Sequence, residues 1–99
     1  MKMIKIREEK GFANWFDSLT KKEQTKVASR LEKIKNEGYF GDVSPISDGI
    51  SELRWKNGWR VYFIVSTTNT IILIQGGKKN DQKKDIKKTR IYVSRYTKV

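Results

Sequence analysis

Two arginines flank a short turn in the middle of the chain, in the runs Glu52-Leu53-Arg54 and Gly58-Trp59-Arg60. A guanidinium group binds phosphate oxygens through a fork of N–H donors, so two arginines held side by side suit a phosphate ester. Lys78 and Lys79 follow the next apolar run and add further positive charge. In a cleavage reaction, these cations would stabilise the negative charge that develops at the phosphorus centre.

The positive charge of the chain is concentrated in its second half. Up to Leu53 there are 10 Lys and Arg residues against 9 Asp and Glu, whereas from Arg54 onward there are 12 against 2, so 10 of the 11 net charges lie there. This segregation predicts one surface that meets a polyanion or an acidic partner. A run of cations near the C-terminus either forms a solvated helix face or binds nucleic acid without sequence selectivity; it consists of Lys83, Lys84, Lys87, Lys88, Arg90 and Arg95.

Composition excludes several kinds of site. The chain has no Cys and no His, so a disulfide and a thiolate or imidazole metal site are both excluded. There is no carboxylate cluster either, and we expect neither a metal nor a cofactor. No run approaches the roughly 20 apolar residues of a membrane span and no signal peptide is evident, so we expect a cytoplasmic protein without a membrane partner. The 99 residues predict a single domain, residues 1–99.

The first half of the chain has mainly helical patterning. Loose alternation predicts a short strand over residues 2–7, and apolar residues at helical spacing predict a short helix over residues 12–19. Thr20 and Glu23 form a capping box that begins a second helix, which Gly38 ends. We expect the two helices to form an antiparallel hairpin.

The second half predicts strands. A loop over residues 39–49, which contains the only proline, precedes three strands separated by turn signals, over residues 51–56, 59–66 and 70–75. The segment after Asp81 is compatible with a helix or, because residues 91–93 are β-branched and aromatic, with a short edge strand. We predict an α+β fold in which an N-terminal helix hairpin packs on a small, mainly antiparallel twisted sheet, with a C-terminal basic helix.

The strand after the central turn has two different faces. Trp59, Val61 and Phe63 alternate toward one side, which we expect to be core, and Arg60 and Tyr62 toward the other. A tyrosine on the basic face could stack on a nucleobase or transfer a proton. Its unperturbed pKa of about 10 makes it a poor base unless nearby cations lower that pKa.

The register of the central hairpin follows from burial. A two-residue turn would place Arg54 opposite Val61 and bury an unpaired guanidinium, which is costly. A three-residue loop with Gly58 at positive φ instead places Arg54 opposite Arg60, and we predict this bulged hairpin. Like charges opposed across strands destabilise each other, so this register predicts an anion between the arginines. The alternative is that Arg54 pairs with Glu52 or with a helix carboxylate and is structural.

Three motifs in this order resemble the RelE/ParE toxin superfamily and, within it, the HigB-like addiction-module killer proteins that are also found in phage. They are Glu52-Leu53-Arg54, then Gly58-Trp59-Arg60-Val61-Tyr62-Phe63, then Gly76-Gly77-x-Lys79-x-x-Gln82-x-x-Asp85-Ile86. The resemblance covers residues 12–86, because Phe12-x-x-Trp15 and Gly41-Asp42 precede these motifs in the expected order. It implies a RelE-like fold, with which the predicted elements are compatible.

The resemblance implies the toxin of a type II toxin–antitoxin module that cleaves messenger RNA, typically during translation on the ribosome. The implied reaction needs no metal, because the ribose 2′-OH attacks the adjacent phosphate. Carried over by motif, Arg54, Arg60 and Lys79 would bind the scissile phosphate and stabilise the transition state. The implied partners are mRNA, the ribosome and a cognate antitoxin, usually a small helix-turn-helix DNA-binding protein.

The motifs do not assign the residue that transfers a proton. Related RelE toxins use a C-terminal Tyr or His, and the nearest position here is Asp85, with Tyr92 farther along the chain. The candidates, in order of preference, are Lys79, Tyr62, Asp85 and Tyr92. Lys78 stands where related proteins often have Asp, which makes this chain more cationic. The expected RNA-binding residues are Lys56, Lys78, Lys83, Lys84 and Lys87.

Two other functions fit a fold of this kind. A ParE-like inhibitor of DNA gyrase would share the fold without cutting RNA, and it would not need a phosphate-binding cluster. A basic nucleic-acid-binding module would bind its target without a reaction. The cluster of Arg54, Arg60 and Lys79 favours the nuclease over both.

Overall fold

The fold is a five-stranded sheet with helices on both faces. The structure is a computed structural model that describes residues 3–67 and 69–96. The strand order is β1-β5-β4-β3-β2, with β1 parallel to β5 and the other neighbouring pairs antiparallel. The strands are β1 (Lys5–Glu8), β2 (Val43–Ser47), β3 (Ile50–Arg54), β4 (Arg60–Thr67) and β5 (Thr70–Gly77). The helices are α1 (Lys10–Asp17), α2 (Lys21–Glu37) and α3 (Gln82–Tyr96), and a short 3₁₀ helix, Lys79–Asp81, precedes α3. The predicted α+β class with a mainly antiparallel sheet is confirmed.

Helices α1 and α2 cover one face of the sheet. Phe12 of α1 and Val27 and Ile34 of α2 are buried in one core cluster with apolar residues of β3, β4 and β5. The predicted capping box begins α2, since the Thr20 hydroxyl accepts from the Glu23 N–H and the Glu23 carboxylate accepts from the Thr20 N–H. The helix pair is not the first element of the chain, because β1 precedes it. Residue 2 of the predicted N-terminal strand lies outside the described residues.

Helix α3 covers the other face and settles the alternative left open for the C-terminal segment. Thr89 and Val93 lie one turn apart and are both buried toward the sheet, where Val93 joins a second core cluster with Tyr62 and Ile72. The helix continues through Tyr96, so the edge-strand alternative is wrong for residues 91–96. Residues 97–99 lie outside the described residues. In the described part of the chain, no helix is both long enough and apolar enough to cross a membrane.

The prediction of a loop over residues 39–49 was wrong, because β2 lies within it. Strand β2 pairs with β3 alone and forms an edge of the sheet, where Pro45 removes no hydrogen bond from an inner strand. Asp48 and Gly49 connect β2 to β3 with φ of 54° and 79°. Two residues at positive φ are the geometry that an Asp-Gly hairpin turn favours, so the sequence did contain a signal for this hairpin.

The predicted register of the central hairpin is confirmed. Arg54 of β3 is the cross-strand partner of Arg60 of β4. The Trp55 N–H donates to the Trp59 carbonyl at 3.0 Å, which closes a three-residue loop, and Gly58 in that loop has φ of 101°. Both arginines therefore lie on the face of the sheet that α3 covers.

Gly76 and Gly77 end β5 between two helices. A Cβ at Gly76 would overlap the Trp15 ring of α1, and a Cβ at Gly77 would overlap the Asp85 carboxylate of α3. Only glycine allows both side chains to lie directly on the strand backbone. Gly76 thus lets Trp15 of α1, and Gly77 lets Asp85 of α3, lie against the strand that pairs with the arginine hairpin.

Candidate phosphate-binding site

Glu52 is the centre of the polar network on the α3 face of the sheet. Its side chain is only 5% exposed. One carboxylate oxygen accepts from Arg60 Nη1 at 2.8 Å, and the other accepts from Gln82 Nε2 of α3 at 3.1 Å. Arg54 Nη1 lies 3.9 Å from the first oxygen. Since a buried carboxylate is costly without partners, Glu52 fixes Arg60 and the start of α3 through hydrogen bonds, and it attracts Arg54 across a longer distance.

Arg60 serves mainly as the partner of Glu52. Its side chain is 14% exposed, and its Nε is buried without a hydrogen-bond partner in the described part of the chain. Removing one member of a buried ion pair leaves the other charge uncompensated, so this pair resists disruption. The geometry makes Arg60 a positioning residue that an incoming anion would not easily detach from Glu52.

Arg54 has a more open environment. It donates through Nε at 3.2 Å and through Nη2 at 2.8 Å to the same oxygen of Asp42, just before β2. The hydrogen bonds from Arg54, followed by the positive charges of Arg54, Arg30 and Arg60, hold the pKa of Asp42 below its usual value. The side chains of Arg54 and Asp42 are 37% and 61% exposed. Arg54 therefore pairs with carboxylates, as expected if its role were only structural. Its closest carboxylate, however, is that of Asp42, which is in a loop and accessible to solvent.

Arg30 of α2 holds the backbone around this pair and was missed from the sequence. Its guanidinium donates to the carbonyl oxygens of Phe40, at 2.7 and 3.1 Å, of Asp42, at 2.8 Å, and of Arg54. It also lies over the ring of Trp55 at 4.4 Å from the centroid, the geometry of a cation–π contact. An arginine among the polar residues of an amphipathic helix gives no sequence signal for such a role.

Lys79 lies beside the hairpin that carries the two arginines. Its Cβ is 3.6 Å from the position that a Cβ on Gly58 would occupy. Gly77, two residues earlier, is the cross-strand partner of Arg60. The three predicted phosphate-binding residues thus lie at one end of the sheet. The lysines predicted to bind RNA are exposed in the hairpin loop, before the 3₁₀ helix and along α3: Lys56, Lys78, Lys83, Lys84 and Lys87.

Tyr62 is on the predicted face but is fully buried under α3. Its hydroxyl has no hydrogen-bond partner in the described part of the chain. Burial raises the pKa of Tyr62, and the negative charges of Glu52 and Asp85 raise it further, whereas the charge of Arg60 opposes them. A phenol with a raised pKa is a worse base at neutral pH than an unperturbed one.

Asp85 is the other polar group buried beneath α3. One of its carboxylate oxygens has no partner among the described residues. Burial raises the pKa of Asp85, the charge of Asp81 adds to this effect, and Lys88 and Lys84 oppose it. Asp85 also contributes to the wall of an open cleft of about 560 Å³ between α1 and α3. A carboxyl group with a raised pKa suits acid–base work near neutral pH better than Tyr62 does.

Tyr92 is not brought together with the arginines. It stacks on Tyr96 with 5.9 Å between ring centroids, and burial raises its pKa while nearby Arg7 of β1 lowers it. It follows Asp85 by two helical turns, which corresponds to about 10 Å along α3. The structure therefore separates Tyr92 from Arg60 and Asp85. Within residues 3–67 and 69–96, no group of three or more acidic residues forms a candidate metal site.

Residues 14–97 match the family described as phage-derived protein Gp49-like. The chain belongs to this family. An uncharacterised protein of Haemophilus influenzae is 34% identical over 91 residues, which cover 89% of this chain and 91% of that protein. This member of the Gp49-like family thus has a relative that matches it over nearly its full length.

Solved structures of RelE proteins share the fold. The isolated Escherichia coli RelE toxin has a TM-score of 0.63 at 10% identity and covers 87% of this chain and 98% of its own. The RelBE2 toxin–antitoxin complex of Mycobacterium tuberculosis gives 0.64 at 12% identity, with 79% and 93% covered. The RelB–RelE complex of Methanococcus jannaschii gives 0.65 at 14%, with 79% and 95% covered. The expected RelE-like fold is confirmed, and the HigB-like branch stays a prediction.

The two arginines should differ in what they contribute to stability. We expect Arg60→Ala to lower the free energy of unfolding by about 3–5 kcal/mol, because it leaves the buried Glu52 carboxylate without its main partner. Arg54→Ala removes a solvent-exposed pair and should cost about 0–1 kcal/mol. Urea unfolding of the wild type and both variants measures the difference. Equal losses would contradict the assignment of Arg60 as the buried partner.

Asp85 should make stability depend on pH. Folding raises the pKa of Asp85 above its ordinary value of about 4. Between these two pKa values, the folded state binds more protons than the unfolded state. Stability therefore falls as pH rises across this interval, and Asp85→Asn lacks this loss. The free energy of unfolding of Asp85→Asn should rise relative to wild type as pH increases from about 4 and then level off. Exposed Asp17→Asn is the matched control, and parallel profiles for Asp85→Asn and wild type would refute the effect.

Proposed function

We propose that this chain is the toxin of a type II toxin–antitoxin module and that it cleaves mRNA on the ribosome without a metal. The observation that carries the proposal is the convergence of Arg54, Arg60 and Lys79 at one end of a sheet with the RelE fold. In this arrangement Arg54 and Lys79 bind the scissile phosphate, and Arg60 holds Arg54 in place through Glu52. The exposed lysines of the hairpin and α3 would bind neighbouring phosphates without sequence selectivity.

The reaction follows from the groups that surround the phosphate. The 2′-hydroxyl of the RNA attacks the adjacent phosphorus and the 5′-oxygen leaves, so negative charge develops on the phosphate oxygens. Guanidinium and ammonium groups that already face these oxygens stabilise this charge more in the transition state than in the ground state. Of the four candidates for proton transfer, we favour Asp85, because its pKa is raised and its carboxylate lies against Gly77, the cross-strand partner of Arg60.

The partner inferred for this chain is an antitoxin. Solved proteins of this fold from M. tuberculosis and M. jannaschii are bound to an antitoxin in their structures. The resemblance to the HigB-like branch favours a small helix-turn-helix DNA-binding antitoxin. An mRNA nuclease of this kind acts where translation takes place, and we therefore place this chain in the cytoplasm.

The function can be tested by inducing the chain in a bacterium and mapping the 5′ ends of cellular transcripts. We expect new 5′ ends inside translated codons. Arg54→Ala and Lys79→Ala should each reduce cleavage by about 100-fold, because each removes a cation from the developing charge. Lys5→Ala is the matched control, since Lys5 pairs with Thr70 in β5, at the opposite end of this strand from Gly77.

The same experiment distinguishes the other two functions. DNA breaks with intact transcripts would refute the nuclease and support a ParE-like gyrase inhibitor. Growth inhibition without new transcript ends or DNA breaks would refute both the nuclease and the gyrase inhibitor. It would leave the nucleic-acid-binding module as the remaining function. Full cleavage by a folded Arg54→Ala variant would show that Arg54 does not bind the scissile phosphate.

A further inference from the structure

We infer that the Asp42 carboxylate occupies the phosphate position on Arg54 in the free protein and competes there with phosphate esters. This inference rests on the role of Arg54 in the proposed function. Its structural basis is the contact in which Arg54 Nε and Nη2 both donate to one oxygen of Asp42, at 3.2 and 2.8 Å. A phosphate oxygen offers the same anionic acceptor to the same two donors.

A carboxylate lies on each side of the Arg54 guanidinium, and the two carboxylates differ in their exposure to solvent. Glu52, on one side, is buried and is also held by Arg60 and Gln82. Asp42, on the other side, is exposed and has hydrogen bonds to its carboxylate from Arg54 alone among the described residues. Only Asp42 can leave Arg54 without breaking the buried network. An incoming anion therefore replaces Asp42 and not Glu52.

The backbone of Asp42 can stay in place while its side chain moves. Its carbonyl oxygen accepts from Arg30 Nη2 at 2.8 Å and from the Arg54 N–H at 2.9 Å. Arg30 also binds the Phe40 carbonyl of the same segment. These bonds fix the loop, so displacement requires a change of side-chain rotamer and no loop rearrangement.

The strength of the contact suits reversible competition. Exposed ion pairs usually change an equilibrium constant by only about two- to fivefold, because solvent screens them and two side chains must be ordered. A phosphodiester carries one negative charge, as a carboxylate does, but it has two anionic oxygens and is also attracted by Lys79 and the lysines around it. Asp42 can therefore occupy Arg54 in the free protein and still yield to a substrate phosphate.

The competition can be measured with inorganic phosphate and no RNA. Phosphate is titrated into ¹⁵N-labelled protein while the Nε–H signal of Arg54, identified by its loss in Arg54→Lys, is followed by NMR. We expect Asp42→Asn to lower the phosphate Kd at Arg54 by about two- to fivefold, because asparagine keeps the shape of aspartate without its charge.

Asp48→Asn is the matched control. Asp48 is also an exposed loop aspartate near an arginine, with 3.7 Å between its Oδ2 and Arg90 Nε, and asparagine tolerates its positive φ. The inference is overturned if wild type and Asp42→Asn bind phosphate equally, if Asp48→Asn gives the same gain, or if Arg54 does not respond in Asp42→Asn.

The outcome is distinguishable from failure of the proposed function. Tighter phosphate binding in Asp42→Asn together with intact cellular transcripts would support the Asp42 competition and refute the nuclease. Transcript cleavage that depends on Arg54, together with an unchanged phosphate Kd in Asp42→Asn, would support the nuclease and refute the competition.

Discussion

A carboxylate buried between a sheet and a helix must keep its partners, and the rest of this site depends on that constraint at Glu52. Its two oxygens bind Arg60 of the neighbouring strand and Gln82 of α3, so they join the hairpin to the helix. Arg54 lies beside the same carboxylate and opposite Arg60. The repulsion expected between two facing arginines is thus offset inside the protein, without a bound anion.

The two arginines have different roles in this arrangement. Arg60 is committed to a buried pair, which makes it important for stability and for the position of its neighbours. Arg54 keeps an exposed guanidinium whose outer side is hydrogen-bonded, among the described residues, to a solvent-accessible aspartate alone. Arg30 fixes the backbone on both sides of that contact. A cation that is held by a rigid shell, yet remains accessible, meets the requirement for pre-organised binding of phosphate.

Burial patterns could be predicted from the sequence better than polar contacts. The alternation of Trp59, Val61 and Phe63, together with the cost of a buried guanidinium, gave the correct hairpin register. Strand β2 is not among the predicted elements, although the Asp48-Gly49 turn signals it, because the proline, glycines and aspartates of residues 39–49 are also typical of a loop. The roles of Asp42 and Arg30 could not be predicted, since both contacts join residues at least 10 positions apart whose polarity is typical of any protein surface.

The most direct test of this account is a crystal structure of the protein with a single-stranded RNA whose 2′-hydroxyls are methylated, so that it cannot be cleaved. The account predicts a phosphate on the Arg54 guanidinium and Lys79, with the Asp42 side chain turned away and the pair between Glu52 and Arg60 intact. RNA bound on another surface, or a phosphate that has drawn Arg60 away from Glu52, would contradict it.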